Sequence, residues 1–316
     1  MSLPLKRFVF EERHLGTPIV LQLVCTEAVP AEILAREAFE ECRRVEQRYS
    51  RFLEDNALAQ LNRRVGKWTE VDEEFFSLLQ LGSRLQKSSQ GAFNLSVKSI
   101  LEDWGYDKDY GFIEKESSSN TEHGFIEFRS SSELAFGEVR IPAPVELGGL
   151  GKGYAIDRMV NVLSQNLALQ GFCINAGGDL FLNGEDEKAL PWKIVFEHPQ
   201  DIRMGIGELL INKESSGPRG LALASSSPSR RHWGEGVERR HHLVDPRTRK
   251  PADQMLAVYT QAAEALLADA YSTALFVLGF EEARRLLPRL PVQAMLISPK
   301  GEIWRSEGFK GSLYGT

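Results

Sequence analysis

The 316-residue sequence predicts an α+β protein. Apolar residues recur at helical intervals over 31–48 and 72–89. Short runs rich in Val, Ile and Leu, readable as strands, lie between and beyond such segments. The connections between strands look antiparallel, with tight turns at Asn175-Ala-Gly-Gly-Asp179 and Lys300-Gly301.

The elements follow in order. Residues 18–25, PIVLQLVC, read as a strand. Over 31–48 a helix places Ile33, Leu34, Ala38, Phe39, Cys42 and Val45 at helical spacing, with charges mainly on the other face. Over 72–89 a second amphipathic helix gathers Phe75, Leu78, Leu79 and Leu85, and Gly82 falls on that face as a place for a close helix contact. Residues 105–135, with their SSSN and SSS pieces, carry the weakest pattern. They read as an irregular excursion with a short hairpin, and as a boundary between two sub-halves, roughly 1–140 and 141–316, of a single domain. VELGGLGKGYAIDRMVNVLSQ is a Gly-rich turn entering a helix, and GFCINAGGDLFLNG is a strand, a Gly-Gly turn and a strand. WKIVFEHP is a strand, LALASSSPSR a strand and loop, and HHLVDPRT a short strand and turn. LLADAYSTALFVLGFEEARRLL is a helix or helix pair, and the tail from Val292 is a strand hairpin. No short-period repeat is present.

Composition narrows the function classes. Hydrophobic residues make up 42% and charged residues 26%, the balance of an ordinary globular chain and not of a fibrous or disordered one. Lys plus Arg is 38 against 44 Asp plus Glu, a net charge of −6, which gives no support to nucleic acid as a partner. Three cysteines, Cys25, Cys42 and Cys173, without a Cys-x-x-Cys pair, suit neither a disulfide framework nor a structural zinc site. No stretch reaches the ~18 apolar residues of a membrane span. The opening residues lack the apolar core of a secretory leader, so a cytoplasmic protein is expected.

Three segments carry chemistry. In Glu146-Leu-Gly-Gly-Leu-Gly-Lys-Gly-Tyr154, four glycines surround Lys152 just before a helix. Close backbone approach, a helix N-terminus and a lysine charge together make an anion or phosphate site; the segment also reads as a tight strand-to-helix turn with a solvated lysine. Asp269 and Thr273 stand at i and i+4 on one helix face. That pair suits magnesium, which takes few protein oxygens and fills its sphere from water and phosphate, or serves as a cap with a back-bonding hydroxyl. His242, ahead of the Asp245-Pro246 turn, is a candidate general base or a structurally bonded histidine. Ser225–Ser227 offer hydroxyls to a ligand, and no G-x-S-x-G elbow is present.

Together the motifs resemble the FAD:protein FMN transferases, the ApbE family. The similar segments, in order, are Leu15-Gly-Thr17, Ser50-Arg-Phe52 with Leu58 and Leu61-Asn62, GAFNLSV at 91–97 with Trp104-Gly105, ELGGLGKGYAID at 146–157, INAGGDLF at 174–181, HLVDPRT at 242–248 and DAYSTALFVLG at 269–279. The resemblance implies a duplicated α+β fold with interlocked halves, FAD in the cleft between them and Mg2+ at the pyrophosphate. It implies that Ala92, Phe93 and Asn94 line the flavin nucleotide with Leu15 and Phe52 nearby, and that Glu146 and Lys152 contact FAD. It places His242 at the reacting phosphoryl group, and Gly149 through its carbonyl, Asp269, Thr273 and Ser272 around magnesium. The implied reaction moves FMN from FAD to a threonine of an acceptor flavoprotein and releases AMP; the alternatives are hydrolysis of FAD to FMN and AMP, or binding without turnover. Four places depart from the family pattern. Asn94 stands for Asp in GAFD, Glu146 for the Asp before LGG, Ser226-Ser227 for a Ser-Gly pair, and Arg249 for a Gly.

Overall fold

A computed structural model describes residues 4–105, 124–130, 136–229, 232–233 and 240–315. Eight strands form one sheet: β1 (Leu5–His14), β2 (Thr17–Thr26), β3 (Gly171–Ala176), β4 (Asp179–Gly184), β5 (Leu221–Ser226), β6 (Ala257–Ala262), β7 (Gln293–Ile297) and β8 (Ile303–Arg305). They lie side by side in chain order, and every neighbouring pair is antiparallel. Helices α1 (Ala31–Tyr49), α2 (Glu73–Ser88), α3 (Gly151–Leu163) and α4 (Ala265–Leu278) occupy long excursions between β2 and β3 and between β6 and β7. This mixed helix and sheet architecture is the α+β class expected.

Strand alternation explains why the sheet is covered on both faces. Phe172, Ile174, Ala176, Phe181, Ala222, Ala224, Val258, Ala294 and Leu296 join the helices in one core. Their neighbours Cys173, Leu180, Leu182, Leu221, Leu223, Tyr259, Met295 and Ile297 point the other way. There they meet Trp192, Phe196, Leu209 and Ile211 of a three-stranded sheet, Trp192–His198, Asp201–Ile211 and Ser312–Leu313. A further small sheet sets Thr69–Asp72 and Glu127–Ser130 on either side of Phe136–Arg140. Of the short hairpin expected within 105–135, one strand, Glu127–Ser130, lies there and its partner, Phe136–Arg140, lies just beyond, while residues 106–123 and 131–135 lie outside the described residues.

The helix expectations at 31–48 and 72–89 agree with α1 and α2, and Asp72 caps α2 by accepting from the Phe75 N–H at 3.0 Å. The long C-terminal helical run is a pair, broken where Gly279 takes φ +84° between α4 and Phe280–Leu286. Gly82 does make a close contact, but not with a helix. A Cβ there would lie 2.4 Å from the Leu95 side chain, in the single turn Leu95–Val97. Strands β1 and β6 and the long strand Asp201–Ile211 had no sequence expectation. β6 is buried at every position, so it shows no alternation, and the alternation of β1 is obscured by its charges.

The tightest helix contact is at Gly153 in α3. An added Cβ would sit 2.4 Å from the Ala265 carbonyl oxygen and 2.7 Å from the Leu266 Cα, both in the first turn of α4. Neither is a side chain that can rotate away. Gly153→Ala is expected to lower stability by about 1–3 kcal/mol in urea denaturation, whereas Gly151→Ala, which meets nothing within 4 Å, stays near wild type.

Candidate functional site

At one end of the sheet lies a cavity of about 650 Å³. Its wall is assembled from the β1–β2 turn, the segment after α1, the turn after α2, the start of α3, the β3–β4 turn, the end of β5 and the face of α4. Leu15, Phe52, Ala92, Phe93, Asn94, Glu146, Gly149, Lys152, His242, Asp269 and Thr273, far apart in the chain, all line it. Gly177 and Gly178 make the β3–β4 turn with φ of +67° and +106°, a two-residue turn that glycines enter without strain. That turn delivers Asp179 to the cavity rim.

The charged centre is a buried triad. Lys152 is ion-paired with Asp179, and its Nζ donates to Asp269 Oδ1 and Oδ2 at 3.1 Å each. Asp269 Oδ2 also accepts the Gly153 N–H at 3.0 Å, and Asp179 Oδ1 accepts the Ser225 N–H at 3.3 Å. Asp269 and Asp179 are 3% and 5% exposed, so water screens neither carboxylate. Burial opposes the charged form of Lys152, but Asp179 and then Asp269 outweigh it and hold the ammonium above the ordinary lysine range. Burial pushes the Asp179 carboxyl up to about 6, with Lys152 pulling the other way and Asp269 adding to the rise.

This corrects the reading of the Gly-rich turn as one that carries a solvated lysine. Lys152 is bound by two carboxylates instead of being solvated. The Gly151 N–H donates to the Leu147 carbonyl at 2.6 Å, the Tyr154 N–H to Leu150 at 2.9 Å, and the Gly153 N–H to Asp269. With both aspartates ionised the triad carries one excess negative charge, a field that favours a cation over a bare phosphate.

The oxygen donors beside the triad fit a hard cation. Gly149 sits against Thr273: a Cβ on Gly149 would lie 3.7 Å from the threonine Cγ2 and 2.9 Å from Phe93 Cε2, so a side chain there would strike the phenyl ring. Thr273 is one turn beyond Asp269 on α4. A carboxylate, a hydroxyl and a backbone carbonyl are the sparse oxygen set that suits Mg2+ when substrate and water supply the remainder. Among the described residues no group of three or more His, Cys, Asp or Glu gathers as a metal cage. Ser272 does not join the lining. It is fully buried, its Oγ donates to the Asp269 carbonyl at 2.9 Å, and it shares a 2.8 Å hydrogen bond with Ser226 Oγ. One position along the helix from Thr273, it faces β5 instead of the cavity.

The other candidates occupy the remaining wall. Glu146 is buried, with Arg51 Nε 3.9 Å away and the Gly148 N–H donating to it at 3.1 Å; burial pushes its carboxyl up, against the pull of Arg51. Asn94 Oδ1 accepts the Ser96 N–H at 2.8 Å and caps the turn Leu95–Val97. Leu15 takes φ +52° in the β1–β2 turn and donates its N–H to Glu46 at 2.6 Å. The Arg51 guanidinium lies 4.7 Å from the centre of the Phe52 ring. His242 is half-buried on the cavity wall. Arg249, where the resemblance expects Gly, has φ +56° and pairs with Asp103 at 2.9 Å, so the backbone keeps a conformation that glycine favours. In the sequence Asp179 stands as part of the Asn175-Ala-Gly-Gly-Asp179 turn. Its signal was a carboxylate opening the otherwise apolar strand DLFL.

A family model described as the ApbE family matches residues 15–296. The chain is 24% identical over 283 residues to the FAD:protein FMN transferase of Escherichia coli K12, covering 85% of this chain and 78% of that protein. It is 26% identical over 265 residues to the FAD:protein FMN transferase of Haemophilus influenzae, covering 80% and 75%. Among solved structures, the ApbE protein of Thermotoga maritima superposes with a TM-score of 0.82 at 25% identity, covering 96% of this chain and 97% of that one. The fold of the Pseudomonas stutzeri flavinyl transferase ApbE is likewise similar, with a TM-score of 0.79 at 20% identity and 97% of each chain covered.

Removing the triad's cation tests its structural weight. Lys152→Ala leaves two buried carboxylates without a counter-charge and is expected to cost about 3–5 kcal/mol in urea denaturation at neutral pH. The deficit should shrink as pH falls toward about 6, because without Lys152, which pulls the Asp179 carboxyl down, that group takes up its proton at higher pH than in the wild type and the unpaired charge disappears. Adding Asp179→Asn to Lys152→Ala should recover part of the loss.

Proposed function

Because the chain belongs to the ApbE family, whose model spans residues 15–296, we propose that it transfers the FMN moiety of FAD to a threonine of an acceptor flavoprotein and releases AMP. The observation that carries this reading is the meeting, in one cavity of about 650 Å³, of the Lys152–Asp179–Asp269 triad with Gly149, Thr273 and an apolar wall from Leu15, Ala92 and Phe93. The volume lies within the range of pockets that hold ligands of this kind.

In this reading the threonine hydroxyl oxygen attacks the phosphorus on the FMN side of the pyrophosphate. The bond from that phosphorus to the bridging oxygen breaks, and AMP carries the bridging oxygen away. Such transfers depend on placement and charge neutralisation. The aromatic and aliphatic wall holds the flavin end. Gly149, Asp269 and Thr273 would hold Mg2+, and when bound that ion neutralises charge on the pyrophosphate. Lys152 and the Gly153 N–H hold the Asp269 carboxylate in place at the cavity. His242 takes the proton of the attacking hydroxyl.

Incubation with FAD, Mg2+ and a threonine-bearing acceptor peptide should add the mass of one FMN to the peptide and release AMP in equal amount. AMP with free FMN and an unmodified peptide would indicate hydrolysis instead, and no AMP at all would overturn the reading. Asp269→Ala, or removal of Mg2+ by a chelator, should lower the transfer rate at least about 100-fold. For His242→Ala a drop of roughly 100- to 10,000-fold in transfer rate is expected, with FAD affinity measured by fluorescence little changed; an undiminished rate would remove His242 from the proton-transfer role.

A further inference from the structure

Strand β1 stands at the end of the main sheet. It pairs with β2 along its whole length, and among the described residues nothing pairs with its outer edge. The opposite edge, β8, is only three residues long. A ten-residue open edge is a template for another strand. The turn Leu15-Gly16, with φ of +52° and +73°, fixes which backbone groups remain open. The residues flanking such a two-residue turn, His14 and Thr17, form a hydrogen-bonded pair. Even-numbered residues of β1 therefore bond to β2, and Leu5, Arg7, Val9, Glu11 and Arg13 direct N–H and C=O outward.

The side chains along this edge are complementary to themselves. Lys6-Arg7-Phe8-Val9-Phe10-Glu11-Glu12 runs from two cations through a central valine between two phenylalanines to two acids. Laid antiparallel on a second copy about Val9, Lys6 faces Glu12, Arg7 faces Glu11, Phe8 faces Phe10, and Val9 faces its own copy. Facing residues in such a pair share a side of the sheet, where opposite charges attract. A shift of two residues either way destroys the match, because Arg7 then faces Arg13 or Val9. The hydrogen-bond phase agrees with the same register: the two-fold axis falls at Val9, whose N–H and C=O point outward. Val9 is 60% exposed, and Glu11 is exposed as well. Charges that merely guard an edge need not pair by sign in any register; here one register sets every central charge opposite its counter-sign, while within the chain Lys6, Arg7 and Glu12 also pair with Glu27, Glu187 and Arg43. An arrangement in which each residue meets its counterpart reciprocally is what a two-fold interface requires.

We infer that two copies of this chain join edge to edge through β1, antiparallel about Val9, into one continuous sheet. Sedimentation equilibrium of the full chain at concentrations up to ~100 µM should show a reversible monomer–dimer equilibrium. Arg7→Glu and Glu11→Lys each oppose like charges in the self-paired register and should weaken self-association at least about tenfold. Mixing the two variants should restore a dimer, since the carboxylate introduced in one then meets the ammonium introduced in the other. Val9→Pro removes an outward N–H without touching the bonds to β2, and should leave a monomer with an unchanged melting curve. A wild-type chain that stays monomeric over this range, or a dimer indifferent to Glu11→Lys and Val9→Pro, would overturn the inference.

Discussion

A lysine ammonium held between two buried carboxylates organises this molecule. Burying three charges costs free energy that their mutual attraction recovers only in good geometry. The geometry fixes four elements at once. Lys152 stands in the first turn of α3, Asp269 on α4, Asp179 at the head of β4, and the Ser225 N–H reaches Asp179 from β5. The two helices also exchange caps. Asp269 of α4 accepts the Gly153 N–H of α3, while Asp157 of α3 accepts the Ala265 and Leu266 N–H groups that open α4, at 2.8 Å each. Gly153 makes the exchange possible, because only a residue without a side chain lets the α4 backbone approach so closely.

This arrangement changes what a net charge of −6 means for a dinucleotide ligand. The field that matters is local, and around the triad it is negative by one charge when both aspartates are ionised. An anionic pyrophosphate brought there alone would be repelled. In the proposed function a divalent cation beside Asp269 would reverse the local sign, and the sparse oxygen donors at Gly149 and Thr273 would leave coordination positions for phosphate oxygens and water. In that proposal Lys152 would serve the site through its carboxylate partners, Asp179 and Asp269.

Much of this was legible in the chain, for identifiable reasons. The amphipathic periods of α1 and α2 and the Gly-Gly turn are local signals, and the local structure obeys them. Residues of the cavity wall came from the family resemblance of short motifs, not from periodicity. What the sequence withheld was non-local. Asp179 looked like a turn residue because its partner Lys152 lies 27 positions away. The resemblance implies Ser272 beside the metal, yet one helix position rotates it about 100° from Thr273 and onto Ser226. β6, buried throughout, carried no period to detect.

The departures from the family pattern fall on positions where the local backbone bonding survives the exchange. Asn94 accepts the Ser96 N–H through Oδ1, a cap that asparagine and aspartate provide about equally well. Glu146 accepts the Gly148 N–H, and its longer side chain occupies space that a Cβ on residue 148 would contest at 2.6 Å. Arg249 enters the left-handed region and is tied to Asp103. In each case the loop geometry is kept, and at Asn94 and Glu146, which line the cavity, the charge or reach changes as well. Asn94 removes one potential carboxylate from the wall, and Glu146 carries one further along the pocket toward Arg51. None of these substitutions touches Lys152, Asp179, Asp269 or Thr273. The departures at Asn94 and Glu146 thus fall on the wall around the ligand space, while the charged centre that sets the local field stays intact.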